Sequence, residues 1–146
     1  MKQFFSTLLI LCCTLLGTQA QTYTHSNQTD TTCSGTFYDS GGTSNYGNNA
    51  SVIQTFYPQA GNGNRLTVNF SSFNTESGID VLTVYNGNNT SGVVLGTFSG
   101  TSIPPNLTSF APDGSLTFTF TSDGSVVRSG WEATFSCCNT ANAGIA

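Results

Sequence analysis

Apolar and polar residues alternate along much of this chain. Leu66, Val68 and Phe70 are each separated by one polar residue, and so are Leu116, Phe118 and Phe120. Trp131, Ala133 and Phe135 repeat the pattern near the end. A period of two turns one set of side chains inward and the other toward water, which predicts half-buried β-strands. Ser51 to Tyr57, Asp80 to Asn86 and Val93 to Phe98 are rich in β-branched and aromatic residues and are predicted as strands on composition. Gly41-Gly42, Gly61-Asn62-Gly63-Asn64, Asn86-Gly87, Asp113-Gly114 and Asp123-Gly124 mark turns between them. No segment carries a helical repeat. Many short strands at this spacing predict an all-β fold, an antiparallel β-sandwich. Eleven Phe, five Tyr and one Trp are enough to fill its core.

The two ends break the pattern. Lys2, an apolar run from Phe4 to Leu16 and the small residues leading to Ala20 have the form of a secretory signal peptide. The run is too short to span a bilayer comfortably. Residues 1–20 are therefore expected to be cleaved, removing Cys12 and Cys13. Gln21 to Thr32 is polar and reads as a flexible leader that would hold the single histidine, His25. The folded domain is expected over residues 33–138. Residues 139–146 are small and polar, as in a tail or the start of a linker to covalently joined downstream domains.

Export makes a disulfide expected among Cys33, Cys137 and Cys138. Cys33 shares the parity of Phe37, and Cys137 that of Trp131 and Phe135, so these two are paired as core-facing residues. Cys138 is then a free thiol, the alternative partner of Cys33, or the partner of a cysteine elsewhere.

Charge narrows the function. Beyond residue 20 the only Lys or Arg residues are Arg65 and Arg128. Such a chain has no basic footprint for nucleic acid or anionic lipid. Acids are also few, seven in all, yet Glu76, Asp80 and Asp123 stand at the ends of predicted strands. Carboxylates brought together repel unless a cation lies between them, and Ca2+ prefers carboxylate and carbonyl oxygens. The bland alternatives are an Asp-Gly turn at Asp123, a strand-end cap at Asp80 and a solvated loop acid at Glu76.

The order of several segments also resembles a known family. These are Cys33-Ser34-Gly35-Thr36-Phe37-Tyr38-Asp39-Ser40-Gly41-Gly42, Asn45-Tyr46, Phe70 to Glu76, Asp80-Val81-Leu82-Thr83-Val84-Tyr85-Asn86-Gly87, Leu95 to Gly100, Phe120-Thr121-Ser122-Asp123 and Gly130-Trp131-Glu132-Ala133-Thr134-Phe135. Together they look like a CUB domain of the compact type found in secreted bacterial proteins. The resemblance implies a jelly-roll-like extracellular sandwich used for protein–protein and sometimes carbohydrate contacts. It implies one Ca2+ of weak affinity held by Glu76, Asp80, Asp123 and carbonyls around Ser125, with Tyr46 supporting the acids through its hydroxyl. In that family the fixed acids engage a basic group of an extracellular protein partner. The chain departs from the pattern in lacking internal cysteine pairs, with Phe56 and Ser115 at positions where relatives often have one. Ser77-Gly78-Ile79 is also short, which either carries Glu76 out of ion reach or keeps it near through a tight turn at Gly78.

The chain is therefore expected to be a secreted, non-catalytic binding module whose Ca2+ site serves protein recognition. Alternatives are a carbohydrate-binding module acting through Tyr23, Tyr38, Tyr57 and Asn side chains, or a structural spacer of a longer adhesin or protease. Catalysis finds little support. Glu76 and Asp80 are close in sequence with no aromatic cleft around them, and a lone His in a flexible leader activates no nucleophile. Trp131 alternates with core residues and is expected inside.

Overall fold

A computed structural model describes residues 21–60 and 64–139; the signal-peptide region and all but the first residue of the expected tail lie outside them. The described residues form ten strands and no helix. They are β1 (Thr22–Thr24), β2 (Gln28–Thr32), β3 (Ser34–Tyr38), β4 (Ser51–Pro58), β5 (Asn64–Asn74), β6 (Val81–Asn86), β7 (Val93–Phe98), β8 (Leu107–Thr108), β9 (Leu116–Thr121) and β10 (Gly130–Asn139). They make two five-stranded sheets, ordered β1-β3-β10-β5-β8 and β2-β4-β9-β6-β7. The sandwich follows from the alternation: Leu66, Val68, Leu116, Phe118, Phe120, Trp131 and Ala133 are all buried between the sheets.

One expectation is corrected here. Residues 21–32 are not a flexible leader, because β1 and β2 add to the sheet edges. Both do so in parallel, β1 along β3 and β2 along β4, while every other strand pair is antiparallel. Tyr23 and His25, two residues apart, both turn inward. Tyr23 packs edge-on against Phe56 with ring centroids 5.3 Å apart. His25 lies against Phe37 and Trp131 and is 2% exposed. Tyr38 and Tyr57 are half-buried.

The disulfide joins Cys33 to Cys137, with Cα atoms 4.9 Å apart and a sequence separation of 104. Cys138 is free and exposed. A bridge closing a loop of this length stabilises by about 4 to 5 kcal/mol if it acts through unfolded-chain entropy.

A β-bulge shapes the end that matters for function. β5 pairs Phe70 with Ala133 and Ser72 with Glu132, leaving Ser71 as the extra residue. The bulge resets parity, so Phe70 and Phe73 both face the core although they are three apart. The strand then delivers Thr75 and Glu76 to one tip of the sandwich. Three sheet-to-sheet crossovers meet there: β3 to β4, β5 to β6 and β9 to β10.

A candidate metal centre at one tip of the sandwich

Each crossover brings one part of the site. Residues 75–80 leave β5 and enter β6 through a turn in which the N–H groups of Ile79 and Asp80 both donate to the Glu76 carbonyl, at 3.3 and 3.1 Å. Gly78 sits in this turn with φ of 75°, a conformation that costs glycine nothing. The short segment thus folds back instead of carrying Glu76 away. Thr75 pins both ends of the turn. Its hydroxyl donates to the Asp80 carbonyl at 2.9 Å and accepts from the Gly100 N–H at 3.1 Å.

The β9–β10 crossover supplies Asp123. Its backbone N–H donates to Asp80 Oδ1 at 3.0 Å, linking two carboxylate-bearing residues 43 apart in sequence. Ser125 is exposed and turns its N–H onto Asp123 Oδ1 at 2.9 Å, which fixes that carboxylate. Two non-glycine residues with left-handed backbone border the loop, Asn49 at φ 55° and Val126 at φ 61°. For a β-branched residue such a conformation costs roughly 1 to 3 kcal/mol and is held only by its surroundings. Here Val127 is anchored against the core, and the Asn49 N–H donates to the Asp123 carbonyl at 2.6 Å.

The β3–β4 crossover supplies Tyr46, which is fully buried. Its hydroxyl donates to Asp80 Oδ2 at 2.6 Å and accepts the Glu76 N–H at 3.1 Å. Burial and the Asp80 carboxylate push the phenol up to about 12, so it stays protonated and remains a donor. Ser122 ties the same crossover to the third one, accepting the Ala50 N–H at 2.9 Å and donating to the Gly47 carbonyl at 2.8 Å.

One carboxylate oxygen from each of Glu76, Asp80 and Asp123 lies within 4.8 Å of the others. Asp80 is buried, Glu76 half-buried and Asp123 exposed, so the cluster opens to solvent on the Asp123 side. Glu76 Oε2 is buried and has no hydrogen-bond partner among the described residues. Burying a carboxylate oxygen without a donor is costly. Three carboxylates form an all-oxygen set, the chemistry suited to a hard divalent cation.

Two titratable groups are buried in a way that the sequence did not reveal. Asp39, fully buried, accepts the Gly41 N–H at 2.7 Å and the Trp131 N–H at 3.1 Å. Desolvation raises its carboxyl to about 6, although both donors oppose the shift. Gly130, with φ of 65°, lies directly over it; a Cβ there would stand 1.9 Å from Asp39 Oδ2. His25 places Nε2 3.3 Å from the Phe118 carbonyl, and burial lowers its pKa to about 4. It is a core residue and not a mobile base. Arg128 contributes its carbonyl, which accepts the Tyr46 N–H at 3.2 Å.

Comparison with known proteins agrees with this architecture. The extracellular region of zebrafish Gpr126/Adgrg6 superposes with a TM-score of 0.66 at 20% identity, over 79% of this chain and 15% of that one. The CUB1-EGF-CUB2 region of human MASP-1/3 gives 0.65 at 20% identity, over 78% and 42%. The MASP-1 CUB2 domain bound to Ca2+ gives 0.62 at 21% identity, over 76% and 98%. The chain therefore spans less than half of the first two. At these identities the likeness shows the fold alone. The family model for the CUB domain matches residues 24–135, starting at the last residue of β1 and so including most of the segment that the sequence had assigned to a leader. This chain belongs to the CUB domain family.

Proposed function

We propose that this domain binds a protein partner outside the cell in a Ca2+-dependent manner, through the tip carrying Glu76, Asp80 and Asp123. CUB domains are generally protein-interaction modules of extracellular proteins. The Cys33–Cys137 bridge suits an oxidising compartment. No described helix is long and apolar enough to cross a membrane. Secretion itself rests on the signal-peptide form of residues 1–20, which lie outside the described residues.

The observation that carries the Ca2+ reading is Glu76 Oε2, buried and without a donor beside two further acids. The MASP-1 CUB2 domain, of the same fold, is bound to Ca2+. In this chain Glu76, Asp80 and Asp123 would be the ligands, with carbonyls around Ser125 completing the set. A bound cation supplies the charge that cancels their mutual repulsion and so stiffens the crossovers carrying them. An open set of three carboxylates suits an extracellular affinity of roughly 0.1 to 1 mM. Tyr46 orients Asp80 and fixes the Glu76 backbone without itself being a ligand.

Three carboxylates outweigh one divalent ion, so the tip stays negative and favours a basic group on the partner. Ile79 and Val126 are exposed next to the acids in sequence, 50% and 43%, and offer apolar contact around that charge. The domain acts by binding and not by catalysis. Its one histidine is held in the core against a carbonyl and is not placed to activate a nucleophile.

Calorimetric titration with CaCl2 and thermal melting with and without chelator test the reading together. Saturable heat and a higher Tm in Ca2+ are expected, with both absent in Asp80→Asn. A chain that shows neither heat nor a Tm shift in millimolar Ca2+ overturns it.

A further inference from the structure

β6 runs away from the acids. Its last residue, Asn86, reaches the opposite pole, roughly 20 Å from Asp80 at the usual rise of a strand. There the β6–β7 and β8–β9 turns enclose a cleft of about 490 Å3. That size lies within the range of roughly 300 to 1,000 Å3 for small-ligand sites.

The deciding residue in this cleft is Asn86, more than nine-tenths buried. Its Oδ1 accepts three hydrogen bonds, from Ser109 Oγ at 3.3 Å, the Phe110 N–H at 2.7 Å and the Ala111 N–H at 3.0 Å. Donors converging on one amide atom identify it as the oxygen and hold the group in place. The other amide atom, Nδ2, takes no part in these bonds, and Asn86 lines the cleft. Nδ2 is a fixed donor.

Asp113 supplies a fixed acceptor. Its Oδ1 takes the N–H and hydroxyl of Ser115, at 3.1 and 2.6 Å, and its Oδ2 takes Asn88 Nδ2 at 3.0 Å. A lone pair on Oδ2 remains. Asn89 and Ser91 add amide and hydroxyl groups, and Val93, Ala111 and Pro112 add apolar surface. No Lys, Arg or His is among the described residues that line the cleft, so no side chain of theirs would neutralise an anion. The single carboxylate is already held by three donors, which disperses its charge and weakens its pull on a cation.

The ligand that matches carries no charge, offers hydroxyls that both donate and accept, and has C–H faces for the apolar side. We propose that this cleft binds a neutral saccharide. The site stands apart from the acidic tip and does not depend on the ion-binding reading. If both hold, the domain has a ligand at each end.

The test uses the full chain, made in a host without N-glycosylation because Asn88-Asn89-Thr90-Ser91 contains two sequons that a glycan could occupy. Laminarihexaose, cellohexaose, mannohexaose and chitohexaose are titrated to millimolar concentration in separate NMR experiments, with EDTA and with CaCl2. Saturable shifts are expected from at least one, at the Asn86 side-chain amide and the Gly87, Gly92 and Ala111 backbone amides, unchanged by EDTA. Ser91→Trp, at an exposed position, should fill the cleft and weaken binding at least ~10-fold while the spectrum stays dispersed. Asp123→Asn should leave saccharide binding intact. Absence of saturable shifts at the cleft with all four probes overturns the proposal. So does equal binding by Ser91→Trp, or a lysine-containing peptide moving the same resonances at lower concentration. Loss of Ca2+ binding alone would overturn only the reading of the other pole.

Discussion

Tyr46 and Asp80, on different crossovers, meet through a 2.6 Å hydrogen bond that stays donor-to-acceptor at every physiological pH, because the phenol is held protonated. The same hydroxyl caps the Glu76 N–H. One oxygen thus sets the spacing of two of the three acids. Tyr46→Phe removes it and leaves a buried carboxylate oxygen and a backbone N–H unmet. A loss of about 2 to 3 kcal/mol of stability is expected, since a hydrogen bond to a charged group is broken. Ca2+ affinity should fall roughly 10- to 100-fold, the usual effect of removing a group that orients a ligand. Urea unfolding and calorimetry read the two effects separately. Unchanged affinity would mean that Asp80 needs no orienting partner.

Asp123→Asn separates repulsion from ligation. Asp123 is exposed, so the substitution removes charge with little loss of packing. Without Ca2+ the variant should melt at or above the parent temperature, because like charges near Asp80 and Glu76 are relieved. With Ca2+ at about 100 times the parent Kd, the parent should gain roughly 2.7 kcal/mol by linkage while the variant gains much less. Melting curves in chelator and in Ca2+ check both halves. A variant less stable in chelator would show that Asp123 serves its own loop through Ser125 and not an ion.

The bridge can be tested against its near neighbour. Cys137 and Cys138 are consecutive in β10, so they point to opposite faces; Cys138 Sγ lies 3.6 Å from Thr67 Oγ1 on the outside. Cys138 therefore cannot replace Cys137 as the partner of Cys33 without flipping the strand. Cys137→Ser should show one more reactive thiol than the parent and lose about 4 to 5 kcal/mol, the value of a loop this long. Thiol titration under native conditions, paired with urea unfolding, reads it. One fewer thiol than the parent would reveal a rescuing Cys33–Cys138 pair.

The interior strands and the acid trio were legible for different reasons. Interior strands need one apolar face, so period two shows plainly in β9 and β10. The trio stood out because acids are rare in this chain. β2 was hidden because it is an edge strand whose Gln-Thr-Asp-Thr-Thr sequence buries only Thr32, so no apolar alternation exists to read. β1 left one trace, the two-residue spacing of Tyr23 and His25. The bulge at Ser71 broke the pattern between Phe70 and Phe73. Asp39 was half visible: its bond to Gly41 is a local turn signal, whereas its bond to Trp131 spans 92 residues and exists only once β3 and β10 pair.

That buried Asp39 and the buried His25 give opposing pH dependences. Asp39 is raised from 3.8 to about 6, so the folded state holds its proton more tightly than the unfolded chain. Its ionisation cost is present in full above about 6 and absent below 3.8, so this group alone makes stability rise as pH falls through that window. His25 is lowered from 6.5 to about 4, so the unfolded chain binds its proton first. This group alone makes stability fall as pH drops from 6.5 toward 4. Each contributes on the order of 1 to 3 kcal/mol, with opposite signs over nearly the same range. The parent should therefore change little from these two groups between pH 6 and 4. Asp39→Asn should lose stability steeply on acidification, and His25→Phe, a fit among Phe37 and Trp131, should gain it. Urea unfolding at half-unit pH steps gives the slopes. Two variants that run parallel to the parent would show that neither side chain holds its shifted proton in the folded domain.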